Sequence, residues 1–163
     1  MPLAYIGLGS NLSGPQAQIA AALDKLKQLE HCTVNKVSSL YFSRPMGPKD
    51  QPDYMNAVVA IVTSLSPLAL LDVLQNIEND AGRVRKDNRW GARVLDLDIL
   101  LFDQQVIDTE RLTLPHYGLK LREFVLLPLA EIAPNLVLPD GASIAELAKQ
   151  IEKNGLKVHS KLG

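Results

Sequence analysis

A lone cysteine, Cys32, stands among the 163 residues. An internal disulfide and a cysteine-rich zinc site are both excluded, and a reducing compartment fits the count. Apolar runs are short, none approaching the ~18–20 residues that span a bilayer. The amino terminus lacks a basic region followed by an apolar core and enters a strand-like segment at once, which argues against a signal peptide. Charge of one sign is lacking too: 17 Lys and Arg against 18 Asp and Glu give a net charge of −1. That balance offers no track for a nucleic acid or an anionic membrane. No Gly-x-x-x-x-Gly-Lys-Ser/Thr loop occurs, so phosphate binding would fall to side chains and metal. No Gly-x-Ser-x-Gly occurs either, and Cys32 has only His31 beside it, so neither a serine nor a cysteine hydrolase is indicated. Hydrophobic residues make up 47% of the chain. The expectation is one cytoplasmic domain burying roughly two-thirds of its unfolded surface.

What is present is concentrated in one stretch. Residues Arg89-Trp90-Gly91-Ala92-Arg93-Val94-Leu95-Asp96-Leu97-Asp98-Ile99-Leu100-Leu101 set two acids inside an apolar run, directly after a cluster of cations. Val94–Phe102 is expected to be a strand, with Asp103 and Gln104 turning after it. Alternation puts Asp96 and Asp98 on one side, roughly 6–7 Å apart. Leu95, Leu97, Ile99 and Leu101 then take the buried side. Adjacent carboxylates repel and are costly to desolvate without a cation. Oxygen-only donors favour magnesium, which keeps several waters and binds substrate phosphates. Arg83, Arg85, Lys86, Arg89 and Arg93 outnumber what two carboxylates need, and metal plus arginines suggests a polyphosphate. A solvated face of an amphipathic strand is the plainer alternative for the acidic pair.

Elsewhere, Leu3–Leu8 reads as a strand stopped by Gly9-Ser10-Asn11. Pro15 opens a helix to about Leu29, with Ile19, Leu23, Leu26 and Leu29 at helical spacing. Thr33–Phe42 reads as one strand, Ser43–Tyr54 as a long loop and Met55–Ser64 as a third strand. Ser66-Pro67 starts a helix whose stripe is Leu68, Leu71, Leu74 and Ile77, ending near Gly82. Gly82–Ala92 is a charged loop. Gln105–Ile107 is expected to be a hairpin partner of the aspartate strand, Leu121–Leu129 a short buried helix, and Ser143–Lys153 a last helix capped by Ser143. The order strand-helix-strand-strand-helix-strand fits an α+β fold: a ferredoxin-like core with a mainly antiparallel sheet, helices packed on it, in a single domain. A doubly wound parallel sheet is the runner-up, disfavoured because no crossover helix fits between the second and third strands.

The segment from Arg89 to Leu100 closely resembles the signature of the 6-hydroxymethyl-7,8-dihydropterin pyrophosphokinase family. Tyr5-Ile6-Gly7-Leu8-Gly9-Ser10-Asn11-Leu12 resembles its opening strand and turn, and Gly47-Pro48 with Gln51-Pro52-Asp53-Tyr54-Met55-Asn56 its pterin loop. Gly82-Arg83-Val84-Arg85, Leu114-Pro115-His116-Tyr117 and Arg122-Glu123-Phe124-Val125 match as well, and the blocks keep register from residue 5 to about 141. The resemblance implies transfer of pyrophosphate from ATP to the hydroxymethyl group of a reduced pterin, with AMP released, in folate biosynthesis. It implies two Mg²⁺ ions on Asp96 and Asp98, and Arg83 and Arg93 closing on the phosphates, a task suited to the planar guanidinium. Gln75, Glu78, Arg85, Trp90, Ile99, Arg111, Thr113, His116, Tyr117 and Arg122 fall at its ATP-contacting positions, His116 for binding and not as a base. Lys86 and Arg89 carry over only as ATP contacts or loop anchors. Ser43, Pro45, Met46, Tyr54, Asn56 and Phe124 fall at its pterin positions: Tyr54 and Phe124 stack, and Asn56 reads the ring edge because an amide donates and accepts at once. Ser43 replaces a common threonine and keeps the hydroxyl; Arg44 follows it. His31 and His159 have no constellation and are expected at the surface. The partners implied are small molecules, with no nucleic acid and no membrane, and the chain is expected to be a monomer. A magnesium-dependent nucleotidyl hydrolase or nuclease is the rival enzyme class, but it would not require Tyr54, Asn56 and Phe124. A ferredoxin-like regulatory module would have no use for paired carboxylates beside a phosphate clamp.

Overall fold

Leu3–Ser10 forms β1, which pairs antiparallel with Tyr54–Thr63 (β4) on one side and Asp96–Phe102 (β5) on the other. Its core positions alternate between the two sheet faces, so Ala4, Ile6 and Leu8 enter one apolar layer and Tyr5 the other. The computed structural model describes residues 2–10, 14–43, 54–81 and 95–162. Cys32–Val37 (β2) and Ser39–Ser43 (β3) both pair with β4, and Lys157–Lys161 (β8) extends the sheet beyond β3. The order β5-β1-β4-β3-β8, all antiparallel, contains the expected ferredoxin-like core.

Pro15–Gln28 (α1) and Pro67–Asp80 (α2) pack on one face of the sheet. Each begins with proline in its first turn, where the missing N–H has no helical partner to lose. At α2, the Ser66 hydroxyl accepts a hydrogen bond from Ala69 N at 3.2 Å, as the sequence predicts. Glu123–Ile132 (α3) and Ile144–Gln150 (α4) cover the opposite face, with Ser143 capping α4 through Glu146 N at 3.3 Å.

Several expectations are corrected. The single strand over Thr33–Phe42 is two, broken at buried Ser38: its N–H donates to Val58 O, while its hydroxyl accepts from Val58 N and donates to Ser39 O. Leu101 does not share a face with Leu97 and Ile99. A bulge opposite Tyr5/Ile6 inserts one residue, so Leu100 and Leu101 both enter the α3 layer and Phe102 returns to the other. Residues 105–107 do not pair with β5; Ile107–Asp108 (β6) pairs with Thr113–Leu114 (β7) in a separate ribbon. β1 runs through Gly9 and Ser10 instead of stopping at Leu8. In α2, Leu70 and not Leu68 joins the stripe, Leu68 being 44% exposed. α3 starts at Glu123, leaving Leu121 exposed, and α4 stops at Gln150. The Asp103 turn is as expected, with φ of 50° and Oδ1 accepting from Leu3 N at 2.8 Å.

Candidate functional site

The sequence-predicted acids and amide meet on the α3 face of the sheet, at the end where β5 begins. Antiparallel register sets Asp96 opposite Gly9, Gly9 opposite Asn56 and Asn56 opposite Tyr41. One row therefore crosses four strands with a glycine between the acid and the amide. In the next row Asp98 faces Gly7 and Gly7 faces Val58. Glycine inside a strand costs about 0.5–1 kcal/mol relative to alanine, and here its lack of a side chain lets Asn56 and Leu100 pack close over β1. A Cβ on Gly9 would lie 3.0 Å from Asn56 Oδ1, and one on Gly7 would lie 3.4 Å from Leu100. The two aspartates thus share one face, as the sequence predicts, while Leu95, Leu97 and Ile99 are buried on the other. Asp98 is exposed and Asp96 half-buried. Tyr54, two residues before Asn56 on β4, falls on the same face.

Behind the acidic pair, Glu78 of α2 accepts a hydrogen bond from Leu97 N at 2.8 Å. Leu97 lies between the aspartates, so this bond fixes the backbone that presents both. At 6% exposure, Glu78 is a buried brace and not the surface polar group that its helix position suggests. Ile99 likewise puts its side chain in the core, leaving its main chain at the sheet border.

His116 lies against β5, its N–H donating to Leu100 O at 2.9 Å. Its Nδ1 accepts from Gly118 N at 3.0 Å, which assigns the ring proton to Nε2. Nε2 is 3.9 Å from Asp98 Oδ2. Burial pushes the imidazole pKa down against the pull of the Asp98 carboxylate, and Arg122 adds to the lowering. The pair is therefore a neutral N–H facing a carboxylate, not an ion pair. Tyr117 stacks on His116 with centroids 4.6 Å apart. The Arg122 guanidinium stands over Tyr117 at 5.3 Å and over Phe124 at 5.7 Å, linking the imidazole to the start of α3. His116 and Tyr117 also line a cavity of about 530 Å³ with Leu119 and Leu121.

On the α2 side, Arg111 Nη2 contacts Asp72 Oδ1 at 2.5 Å and Gln75 Oε1 at 3.4 Å. Asp72 was not singled out in the sequence; it lies three residues before Gln75, one helical turn away. Thr113 is exposed on β7, beside Arg111 in sequence. His31 and His159 are at the surface, as expected. Arg83, Arg85, Lys86, Arg89, Trp90, Arg93, Arg44, Pro45 and Met46 lie outside the described residues. So does the side chain of Ser43, whose backbone pairs with Tyr54. Among the described residues no three His, Cys, Asp or Glu side chains form a metal-holding group. The acidic pair still fits magnesium, which takes one or two protein carboxylates and completes its shell with water and phosphate oxygens. No helix among the described residues is long and apolar enough to cross a membrane.

Comparison with known proteins agrees with this geometry. The chain is 57% identical over 150 residues to a 2-amino-4-hydroxy-6-hydroxymethyldihydropteridine pyrophosphokinase of Haemophilus influenzae, covering 92% of this chain and 93% of the relative. A Pseudomonas aeruginosa protein of the same name is 52% identical over 153 residues, with 94% of each covered. Among solved structures, a Plasmodium falciparum HPPK-DHPS crystallised with pteroate superposes with a TM-score of 0.73 at 16% identity, over 91% of this chain. The chain spans 42% of that longer polypeptide, and the likeness speaks to fold alone. The family model for 7,8-dihydro-6-hydroxymethylpterin-pyrophosphokinase matches residues 5–134, and the chain belongs to that family.

Proposed function

We propose that this chain transfers the pyrophosphoryl group of ATP to the hydroxymethyl oxygen of 6-hydroxymethyl-7,8-dihydropterin, a step of folate biosynthesis. The alcohol oxygen bonds to the β-phosphorus, the α–β bridge breaks, AMP leaves, and the alcohol proton passes to solvent. Such chemistry is mainly positioning and charge stabilisation. The observation that carries the reading is the row Asp96–Gly9–Asn56 with Asp98–Gly7 behind it: acids for cations, an amide for a ring edge, and a glycine between them over which the amide packs closely.

Asp96 and Asp98 would hold two Mg²⁺ ions. Bound there, the ions would neutralise triphosphate charge and make the alcohol more acidic. His116, neutral with Nε2–H directed toward the acidic pair, donates to a phosphate oxygen, and Arg122 supplies fixed positive charge beside it. Tyr117 adds an aromatic wall for the nucleotide. Arg111, held by Asp72 and Gln75, and Thr113 take the nucleotide's other end along the border of β5, where the Ile99 backbone lies. Glu78 acts through Leu97 N–H by keeping the aspartates in place. Asn56 reads the pterin edge, Tyr54 and Phe124 cover its faces, and Ser43, Pro45 and Met46 close the loop side. By family likeness, Arg83 and Arg93 clamp the phosphates, and Arg85 and Trp90 contact ATP. The chain acts as a cytoplasmic monomer on small molecules.

Purified protein supplied with ATP and magnesium should release AMP only when the hydroxymethyl-dihydropterin is added. ADP as product, or nucleotide turnover without pterin, would overturn the assignment in favour of another phosphoryl transfer. A nuclease or a purely regulatory module would show no pterin-dependent AMP.

A further inference from the structure

One side chain joins the end of α3 to the strand that leads into the pterin loop. The Glu131 carboxylate accepts from Ser39 N at 3.0 Å to each oxygen, from Ser39 Oγ at 2.9 Å and from the Tyr41 hydroxyl at 2.8 Å. None of these three residues takes part in the chemistry described above. Tyr41 is nevertheless the cross-strand partner of Asn56, so the two side chains stand side by side on the α3 face. Tyr41 is only 8% exposed. Asn56 therefore has glycine on one flank and a tethered phenol ring on the other. The glycine flank lets the amide lie close over β1, and the tethered flank limits where it can swing.

The same tether acts on the far end of its helix. Phe124 precedes Glu131 by seven residues, about two helical turns, so both project from one side of α3. Phe124 packs against the α3-layer core. Pro128 lies within these two turns and leaves the Phe124 carbonyl without its helical N–H donor, so Phe124 is held above β4 by the packing of α3 on the sheet together with the Glu131 tether to β3.

We infer that Glu131, through Tyr41 and Ser39, is a positioning residue for the pterin: it sets the gap between Phe124 and the Tyr54–Asn56 strand and aligns the Asn56 amide. The inference rests on the pterin reading of this site. A tether of this kind should act chiefly on pterin affinity and reach the nucleotide side, built on β5, α2 and residues 111–122, only through the contact of Arg122 with Phe124.

The test uses Tyr41→Phe, Glu131→Ala and Glu131→Gln in the full chain. Affinity for a non-hydrolysable ATP analogue is measured alone, and affinity for the dihydropterin in the presence of that analogue, with thermal midpoints recorded for each variant. Loss of one such hydrogen bond corresponds to about a fivefold change in an equilibrium constant. Tyr41→Phe and Glu131→Ala should each weaken pterin binding by at least about fivefold. Glu131→Gln keeps an acceptor and should lose less, and in every variant nucleotide affinity should change less than pterin affinity. Pterin affinity unchanged in Tyr41→Phe and Glu131→Ala, or equal weakening of both ligands, overturns the inference, and a lowered thermal midpoint with both affinities intact means packing only. Should Glu131→Ala fail to fold, the near-isosteric Tyr41→Phe still decides. Wild-type protein that binds no pterin would sink the functional reading itself, a result distinct from variants that match a pterin-binding wild type.

Discussion

Gly118→Ala separates the fold from the phosphate side of the site. A Cβ built on Gly118 would lie 2.6 Å from Arg122 Nε, 2.8 Å from Cζ and 3.0 Å from Cδ, so that side chain must move. The atoms met are the far end of a flexible chain, which can swing away cheaply. Gly118 is not among the residues with positive φ, so alanine is tolerated by the backbone. Fewer unfolded conformations then stabilise the fold by about 0.4–1 kcal/mol, offsetting any crowding. The guanidinium, however, leaves its seat over Tyr117 and Phe124. A hydrogen bond to a charged group contributes about 1.5–3 kcal/mol, and 1.4 kcal/mol is tenfold in affinity. A displaced but still present arginine should sit near the lower limit, giving roughly a tenfold rise in the KM for ATP. The assay is steady-state AMP release against ATP concentration, beside urea denaturation. A double-mutant cycle sharpens it: once Arg122 is alanine nothing remains to be displaced, so Gly118→Ala should add no further loss. Additive losses, or an unchanged KM for ATP in Gly118→Ala while Arg122→Ala raises it, would refute the reasoning.

Glu78→Ala leaves the Leu97 N–H without its carboxylate and should cost about 1–3 kcal/mol in urea denaturation, with kcat lowered as β5 loosens; Glu78→Gln, which keeps an acceptor, should cost less, and an Ala variant as stable as wild type would disprove the brace. Asp98→Ala should abolish turnover while leaving the thermal midpoint nearly unchanged, because the side chain is exposed; substantial activity at saturating magnesium would contradict metal binding there. Burial, helped by the hydrogen bond to Glu131 and its charge, holds the Tyr41 phenol pKa well above the ordinary range. The sign follows: the unfolded chain ionises first, so this contribution is whole below about pH 10 and is lost as pH rises toward the folded value. Tyr41→Phe should therefore lose less stability than wild type on moving to strongly alkaline pH, and identical alkaline slopes would count against a protected phenol.

The sequence exposed most where alternation and caps act locally. Paired aspartates on one face, the Ser66 and Ser143 caps and the proline starts all follow from residue type and spacing, and the structure reproduces them. Features set by distant partners were not legible. The break at Ser38 depends on Val58, twenty residues away, and the bulge at Leu100 on pairing with β1. A run of apolar residues such as Ile99-Leu100-Leu101-Phe102 suits either face and carries no sign of a register shift. β8 escaped notice because Lys-Val-His-Ser-Lys is polar and largely exposed, with pairing supplied by the backbone. Within the site, the alternation Gly7-Leu8-Gly9 was visible, but its meaning came from what lies opposite. Asp72, Tyr41 and Glu131 looked like ordinary helix and strand positions until the fold set them beside Arg111, Asn56 and Ser39.

The placement of β5 at a border of the sheet has a bearing on how the protein behaves in crowded solution. A bare border strand is a template on which another molecule can add its own chain, the first step toward fibrils. Here the Leu100 carbonyl is already taken by His116 N–H, and the extra residue at Leu100 twists the strand out of a flat line. Two exposed or half-exposed acids at its start would repel an identical copy. The features that present a ligand therefore also discourage self-assembly, and concentrated stocks should stay dispersed without a partner covering that rim.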